Sequence, residues 1–121
     1  MKIIVYEDMQ WNFNNSENVG IGWTEKSEFK GVDFVHAKIK PKEELKLHYH
    51  ERDGGDEIFC FYNGGHFKIK TKEGEKEINT EKPFYVAFDD KEAHAIENLS
   101  DEELEFQAIY SPPFKPGEVK H

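Results

Sequence analysis

The residues best able to do chemistry lie in one stretch, "HYHERDGGDEIFCFYNGG", from His48 to Gly65. If "LKLHYH" is a strand, its period of two puts Lys46, His48 and His50 on one face and Leu45, Leu47 and Tyr49 on the other. Two imidazoles spaced this way can share one metal ion. In "EIFCFY" the same rule groups Glu57 with Phe59 and Phe61, opposite Ile58, Cys60 and Tyr62. A carboxylate beside two Phe rings is costly to bury unless a cation meets it. Once "ERDGGD" has turned the chain, Glu57 would face the histidines from the second strand of a hairpin. Asp56 is the alternative carboxylate, on the opposite parity unless a bulge intervenes. His94, at the start of "HAIENL", supplies a further imidazole. Three imidazoles and a carboxylate suit a divalent transition metal (Fe, Mn, Ni, Zn or Cu) and leave positions for water and substrate.

The elements that must hold these groups read as strands. Alternating or β-rich runs recur as "MKIIVY", "GIGWT", "GVDFVHAKIKP", "LKLHYH", "EIFCFY", "HFKIKTK", "KEINT", "PFYVAF", "HAIENL" and "LEFQAIYS". Turn-rich segments separate them, the sharpest being "NGG" at 63–65, where Asn-Gly suits a type I′ hairpin turn. So many short strands in 121 residues predict an all-β antiparallel sandwich or closed barrel in one domain, residues 1–121, with little or no helix. The ten Phe, five Tyr and two Trp supply a core made largely of rings. The tail "SPPFKPGEVKH", with three prolines, is expected to run extended along the outside.

The order of these groups resembles a small single-domain cupin of the cupin-2 type. That family's first motif runs His-x-His, then Glu, then Gly after six further residues; here it reads His48, His50, Glu57 and Gly64, with the gap from His50 to Glu57 two residues longer than usual. Gly54 and Gly55 lie in this longer loop. The second motif ends His, three residues, Asn, matched by His94 and Asn98; Asp89 and Lys91 stand where its leading proline and glycine would be. The resemblance covers roughly residues 30–110. It implies a double-stranded β-helix, a jelly-roll barrel with a metal held in its mouth by His48, His50, Glu57 and His94. Small cupins commonly dimerise, and the N-terminal part with Trp11 and Trp23 is expected either to serve a homodimer contact or to pack on its own barrel.

Such an ion has two reaction classes open to it on a small sugar-like or carboxylate-like metabolite. As a Lewis acid it supports isomerase or lyase chemistry; as a redox ion it supports a dioxygenase. The competing reading is a non-catalytic small-molecule-binding module in which the metal is structural or missing. No residue is assigned a catalytic role, and no organic cofactor is implied. A net charge of −9 and a pI near 5.1 disfavour nucleic acid and anionic membranes as partners. Cys60, the single cysteine, permits no internal disulfide, and the short apolar run of "MKIIVYEDMQ" is neither a secretion signal nor a membrane span, so the expected location is the cytoplasm. His36 and His66 carry no motif and read as structural or surface residues, and His121 as a frayed end. The lysines at 68, 70 and 72 read as a solvated strand face.

Overall fold

The computed structural model describes residues 1–13, 20–51, 54–89, 91–113 and 118–120, with nothing said of the side chains at 27 and 28. A short 3₁₀ turn, Tyr6–Asp8, is the only helical element among them. Twelve strands follow: β1 (Trp11–Asn12), β2 (Ile21–Thr24), β3 (Ser27–Glu28), β4 (Asp33–Ile39), β5 (Glu44–His50), β6 (Asp56–Phe61), β7 (Gly65–Thr71), β8 (Gly74–Thr80), β9 (Phe84–Phe88), β10 (His94–Asn98), β11 (Leu104–Ser111) and β12 (Val119–Lys120). They form two antiparallel sheets, ordered β1-β2-β4-β11-β6-β9, with β3 also on β4, and β12-β5-β10-β7-β8. This is the all-β antiparallel architecture that the strand pattern predicts, in the jelly-roll form that the resemblance implies. The expected strand at "MKIIVY" does not form: Met1, Ile3, Ile4 and Val5 are exposed.

Strict alternation explains most of the packing. Along β11, Leu104, Phe106, Ala108 and Tyr110 point inward; along β6, Glu57, Phe59 and Phe61 do the same. Phe59, Phe61 and Phe106 of the larger sheet meet Phe67 of the smaller one, all fully buried. The Phe61 and Phe67 rings stack 4.2 Å apart, and Phe106 lies 4.8 Å from Phe59 and 4.9 Å from Phe61. Each buried ring contributes about 1.5–3 kcal/mol relative to exposure, so this layer fixes the separation of the sheets. Trp23, on β2, packs against the same core edge-on to Phe106.

Two turns differ from the sequence reading. The "NGG" segment does not close a hairpin, because β6 and β7 lie in different sheets. The Gly64 amide donates to the Phe61 carbonyl (2.9 Å), so Tyr62 and Asn63 are the central residues and Gly64 follows with φ +66°. That is a three-residue connection ending in the left-handed conformation glycine supplies. A β-carbon at Gly64 would also strike the Thr80 backbone. Likewise β5 and β6 are not hairpin partners, since the chain crosses between sheets after Glu51.

Asn98 ties these parts together. Fully buried at the end of β10, its Nδ2 donates to the carbonyls of Ile39 (3.0 Å), Lys40 (3.2 Å) and Glu102 (2.7 Å). Its Oδ1 accepts from Ser100 N (3.0 Å) and Ser100 Oγ (2.8 Å). Asn98→Ala strips the partner from several backbone groups at once, each worth about 1–3 kcal/mol when buried unsatisfied. The substitution is expected to lower unfolding free energy by about 3 kcal/mol, measurable by denaturant titration.

Candidate metal centre

The two sheets bring His48, His50, Glu57 and His94 together at one end of the barrel. His48 and His50 come from β5, and His94 from its neighbour β10, where it is the direct cross-strand partner of His48. Glu57 reaches in from β6 on the opposite sheet, so the carboxylate faces the imidazoles across the interior. All four side chains are buried. Asp56 is exposed at the rim of the same end.

A bulge sets the histidines' direction. Register shifts between His94 and Ile96 on β10, which face His48 and Leu45 on β5, so three steps on β5 answer two on β10. The simple alternation that put Leu45 opposite the histidines is therefore broken: Leu45, His48 and His50 are all buried, while Leu47 is exposed.

Each imidazole is oriented from outside by its Nδ1. His48 Nδ1 lies 2.7 Å from the Lys46 carbonyl, and His94 Nδ1 lies 2.9 Å from the Glu92 carbonyl. His50 Nδ1 lies 2.7 Å from Glu118 Oε2. Carbonyls and carboxylates only accept, so each Nδ1 carries a hydrogen, leaving the Nε2 atoms as the groups that face inward. His94 Nε2 stands 3.0 Å from Glu57 Oε1, and His50 Nε2 stands 3.4 Å from Glu57 Oε2. Yet His94 Nε2 and Glu57 Oε1 are buried with no hydrogen bond of sound geometry. Ligand atoms of His48, His50 and Glu57 lie within 4.8 Å of one another. Buried lone pairs and a carboxylate converging in this way fit a divalent metal ion, which accepts electron pairs from all of them.

Aromatic rings frame the cluster. Phe88 stacks on His94 at 3.9 Å and 10°, Phe59 meets it edge-on at 5.5 Å, and Tyr110 lies 5.1 Å from His50. Phe88 and Tyr110 flank Glu57 in the ladder on either side. A small open cleft beside the cluster is lined by Asp56, Asp89, Lys91 and Glu92. Lys91, which stands where the resemblance would have glycine, has φ +60° and so keeps a backbone conformation that glycine adopts without strain.

Other residues singled out in the sequence lie elsewhere. His36 is buried on the outer face of β4, edge-on to Tyr6 (4.4 Å) and Phe34 (5.2 Å), and its burial lowers its pKa. His66 pairs with Glu77 at 3.0 Å on the surface. Lys68 pairs with Glu75 (3.4 Å), and Lys70 with Glu44 (2.9 Å) and Glu97 (3.2 Å). Burial raises the Cys60 thiol pKa, the opposite of an activated nucleophile. His121 lies outside the described residues. Glu118 escaped the sequence reading: it sits 68 positions from His50 in a proline-rich tail whose pattern carries no signal for it.

No protein-family model and no curated protein matches the chain. Solved structures do match in shape. The polyketide cyclase RemF from Streptomyces resistomycificus is 11% identical, covering 100% of this chain and 84% of that one at a TM-score of 0.79. A cupin-2 domain from Rhodospirillum rubrum is 9% identical over 98% of this chain and 78% of that one, at a TM-score of 0.72. A predicted oxalate decarboxylase from Thermotoga maritima is 19% identical over 92% and 99%, at 0.70.

The electrostatics of the cluster make stability pH-dependent when no metal is bound. Burial, then the neighbouring His94, push the His48 pKa from 6.5 down to about 4. Burial works to raise the Glu57 pKa, but His94, then His50 and His48, outweigh it and hold the carboxyl below its ordinary value. As pH falls below 6.5 the unfolded His48 gains a proton that the folded one refuses until about 4, so the metal-free protein should lose stability across this window. The loss amounts to about 3 kcal/mol, and Glu57 adds a further loss at lower pH as its depressed folded pKa is passed. Denaturant titrations across the window test this, and His48→Gln should flatten the slope.

Proposed function

Since the chain has the cupin fold, we propose that it binds one divalent transition metal through His48, His50, Glu57 and His94 and uses it on a small polar metabolite. The observation that carries this reading is the convergence of His50 Nε2 and His94 Nε2 on the Glu57 carboxylate, with a ligand atom of His48 within 4.8 Å of those of His50 and Glu57 and every Nδ1 engaged from behind. Bound there, the ion would polarise a substrate oxygen or, if redox-active, support oxidation by dioxygen. The chain supplies the rest: Glu57 offsets the ion's charge, Phe88 and Tyr110 hold the imidazole planes, and Phe59 excludes water from below. At the rim, Asp56, Asp89, Lys91 and Glu92 would meet the polar groups of a ligand. Isomerase or lyase chemistry and dioxygenase chemistry both fit this site. The likeness in shape to a polyketide cyclase and to a predicted oxalate decarboxylase supports a small-molecule substrate.

Two further parts of the proposal concern the setting. Exposed Ile3, Ile4, Val5 and Phe29 favour a homodimer through the N-terminal part, measurable by sedimentation. The single cysteine, which permits no internal disulfide, fits a reducing compartment such as the cytoplasm. Among the described residues no helix is long and apolar enough to cross a membrane.

Reconstituted wild-type protein is expected to hold about one metal ion per chain by elemental analysis, and His48→Ala/His50→Ala essentially none. Absence of stoichiometric metal in the wild type overturns the reading. Metal-loaded protein incubated with sugar acids, keto acids and catechols should turn over at least one of them. Oxygen uptake that requires iron points to a dioxygenase, and turnover without oxygen to an isomerase or lyase. Binding without turnover across the panel favours the non-catalytic module.

A further inference from the structure

The three histidines are not held in the same way. His48 and His94 each lean on the carbonyl two residues before them, Lys46 and Glu92, a support that belongs to their own strand and its approach. His50 instead leans on a charged side chain from the far end of the sequence, Glu118, at 2.7 Å with both side chains about 4% exposed. Glu118 immediately precedes β12, a strand of only two residues whose Val119 and Lys120 pair with His50 and Tyr49. Besides this ladder, the described residues show the Glu51 amide donating to the Glu118 carbonyl (2.7 Å) and a surface ion pair between Lys120 and Glu51 (3.5 Å). Val119 is only half-buried and Lys120 exposed, so little apolar burial secures the strand. An exposed ion pair adds at most about 1 kcal/mol. The hydrogen bond that His50 Nδ1 donates to Glu118 is thus a buried, charge-assisted attachment of this segment, and it starts from a ring of the candidate metal centre.

We propose that Glu118 is a positioning residue for His50, and that through it docking of the C-terminal strand and occupancy of the metal centre strengthen each other. The inference rests on the metal-binding reading above. A cation on His50 Nε2 draws electrons from the ring and makes Nδ1–H a stronger donor to Glu118; the carboxylate in turn makes Nε2 a better ligand and fixes its direction. Coupling of this kind is reciprocal, so whatever Glu118 adds to metal affinity the metal must return as tighter docking of the strand.

The test measures zinc affinity by competition with a chromophoric chelator, cobalt spectra, and amide hydrogen exchange at Glu51, whose N–H is bonded to the Glu118 carbonyl. Glu118→Ala is expected to weaken zinc binding about 10- to 100-fold and to shift the cobalt visible bands. Glu118→Gln, which keeps an accepting oxygen without the charge and preserves the shape, should recover part of the loss and keeps the test open if the alanine variant folds poorly. In the wild type, zinc should slow exchange at Glu51 by about the same 10- to 100-fold that Glu118 adds to zinc affinity, and this protection should disappear in the alanine variant. If wild-type protein binds zinc and both variants bind it within about threefold of wild type, or if zinc leaves Glu51 exchange unchanged, the inference is overturned while the metal site stands. If wild-type protein binds no metal, the functional reading fails and takes this inference with it.

Discussion

A carboxylate and three imidazoles buried among aromatic rings at the mouth of the barrel form the arrangement on which the rest of this structure depends. Burying Glu57 costs several kcal/mol unless opposite charge meets it, and burial pushes the His48 imidazole towards its neutral form. The chain does not relieve that cost with water-exposed partners: Phe59, Phe88 and Tyr110 close around the cluster. It anchors the outer nitrogen of each ring and lets the inner nitrogens and the carboxylate crowd one another. Such an arrangement persists in a folded chain only when the scaffold holds it firmly.

That scaffold is the pair of sheets. Three of the four groups come from neighbouring strands of the smaller sheet and the fourth from the larger, so the site spans the gap between layers. The Phe59, Phe61, Phe67 and Phe106 stack sets this gap, and Asn98 locks the far end of the strand that begins with His94. Groups placed on strands backed by a packed core are held more tightly than groups on loops. The loops contribute at the rim instead, where Lys91 and its acidic neighbours meet solvent.

Much of this was legible in the residues, and the exceptions have identifiable causes. Alternation placed Glu57, Phe59 and Phe61 correctly because β6 is regular from end to end. It failed for Leu45 because a bulge changes which residues share a face, and a bulge in β5 leaves no mark in the types of Lys46 and Leu47. The turns at "ERDGGD" and "NGG" look like hairpin turns because glycine serves a tight reversal whether or not the flanking strands then pair. Which strands pair is decided by the whole jelly roll, through contacts far apart in sequence. The same distance hid Glu118, whose partner is fixed only when the C-terminal segment docks on β5.

The short strand at the C-terminus has one more effect. It lies on the outer edge of β5, where the backbone groups of Tyr49, His50 and Glu51 would otherwise face outward. An open strand edge invites pairing with another molecule. By covering that edge, Val119 and Lys120 act as a plug against sheet-to-sheet aggregation at the strand that carries two of the four convergent side chains. The lysine at the rim of this plug reinforces it, since a charge there disfavours the approach of a foreign strand.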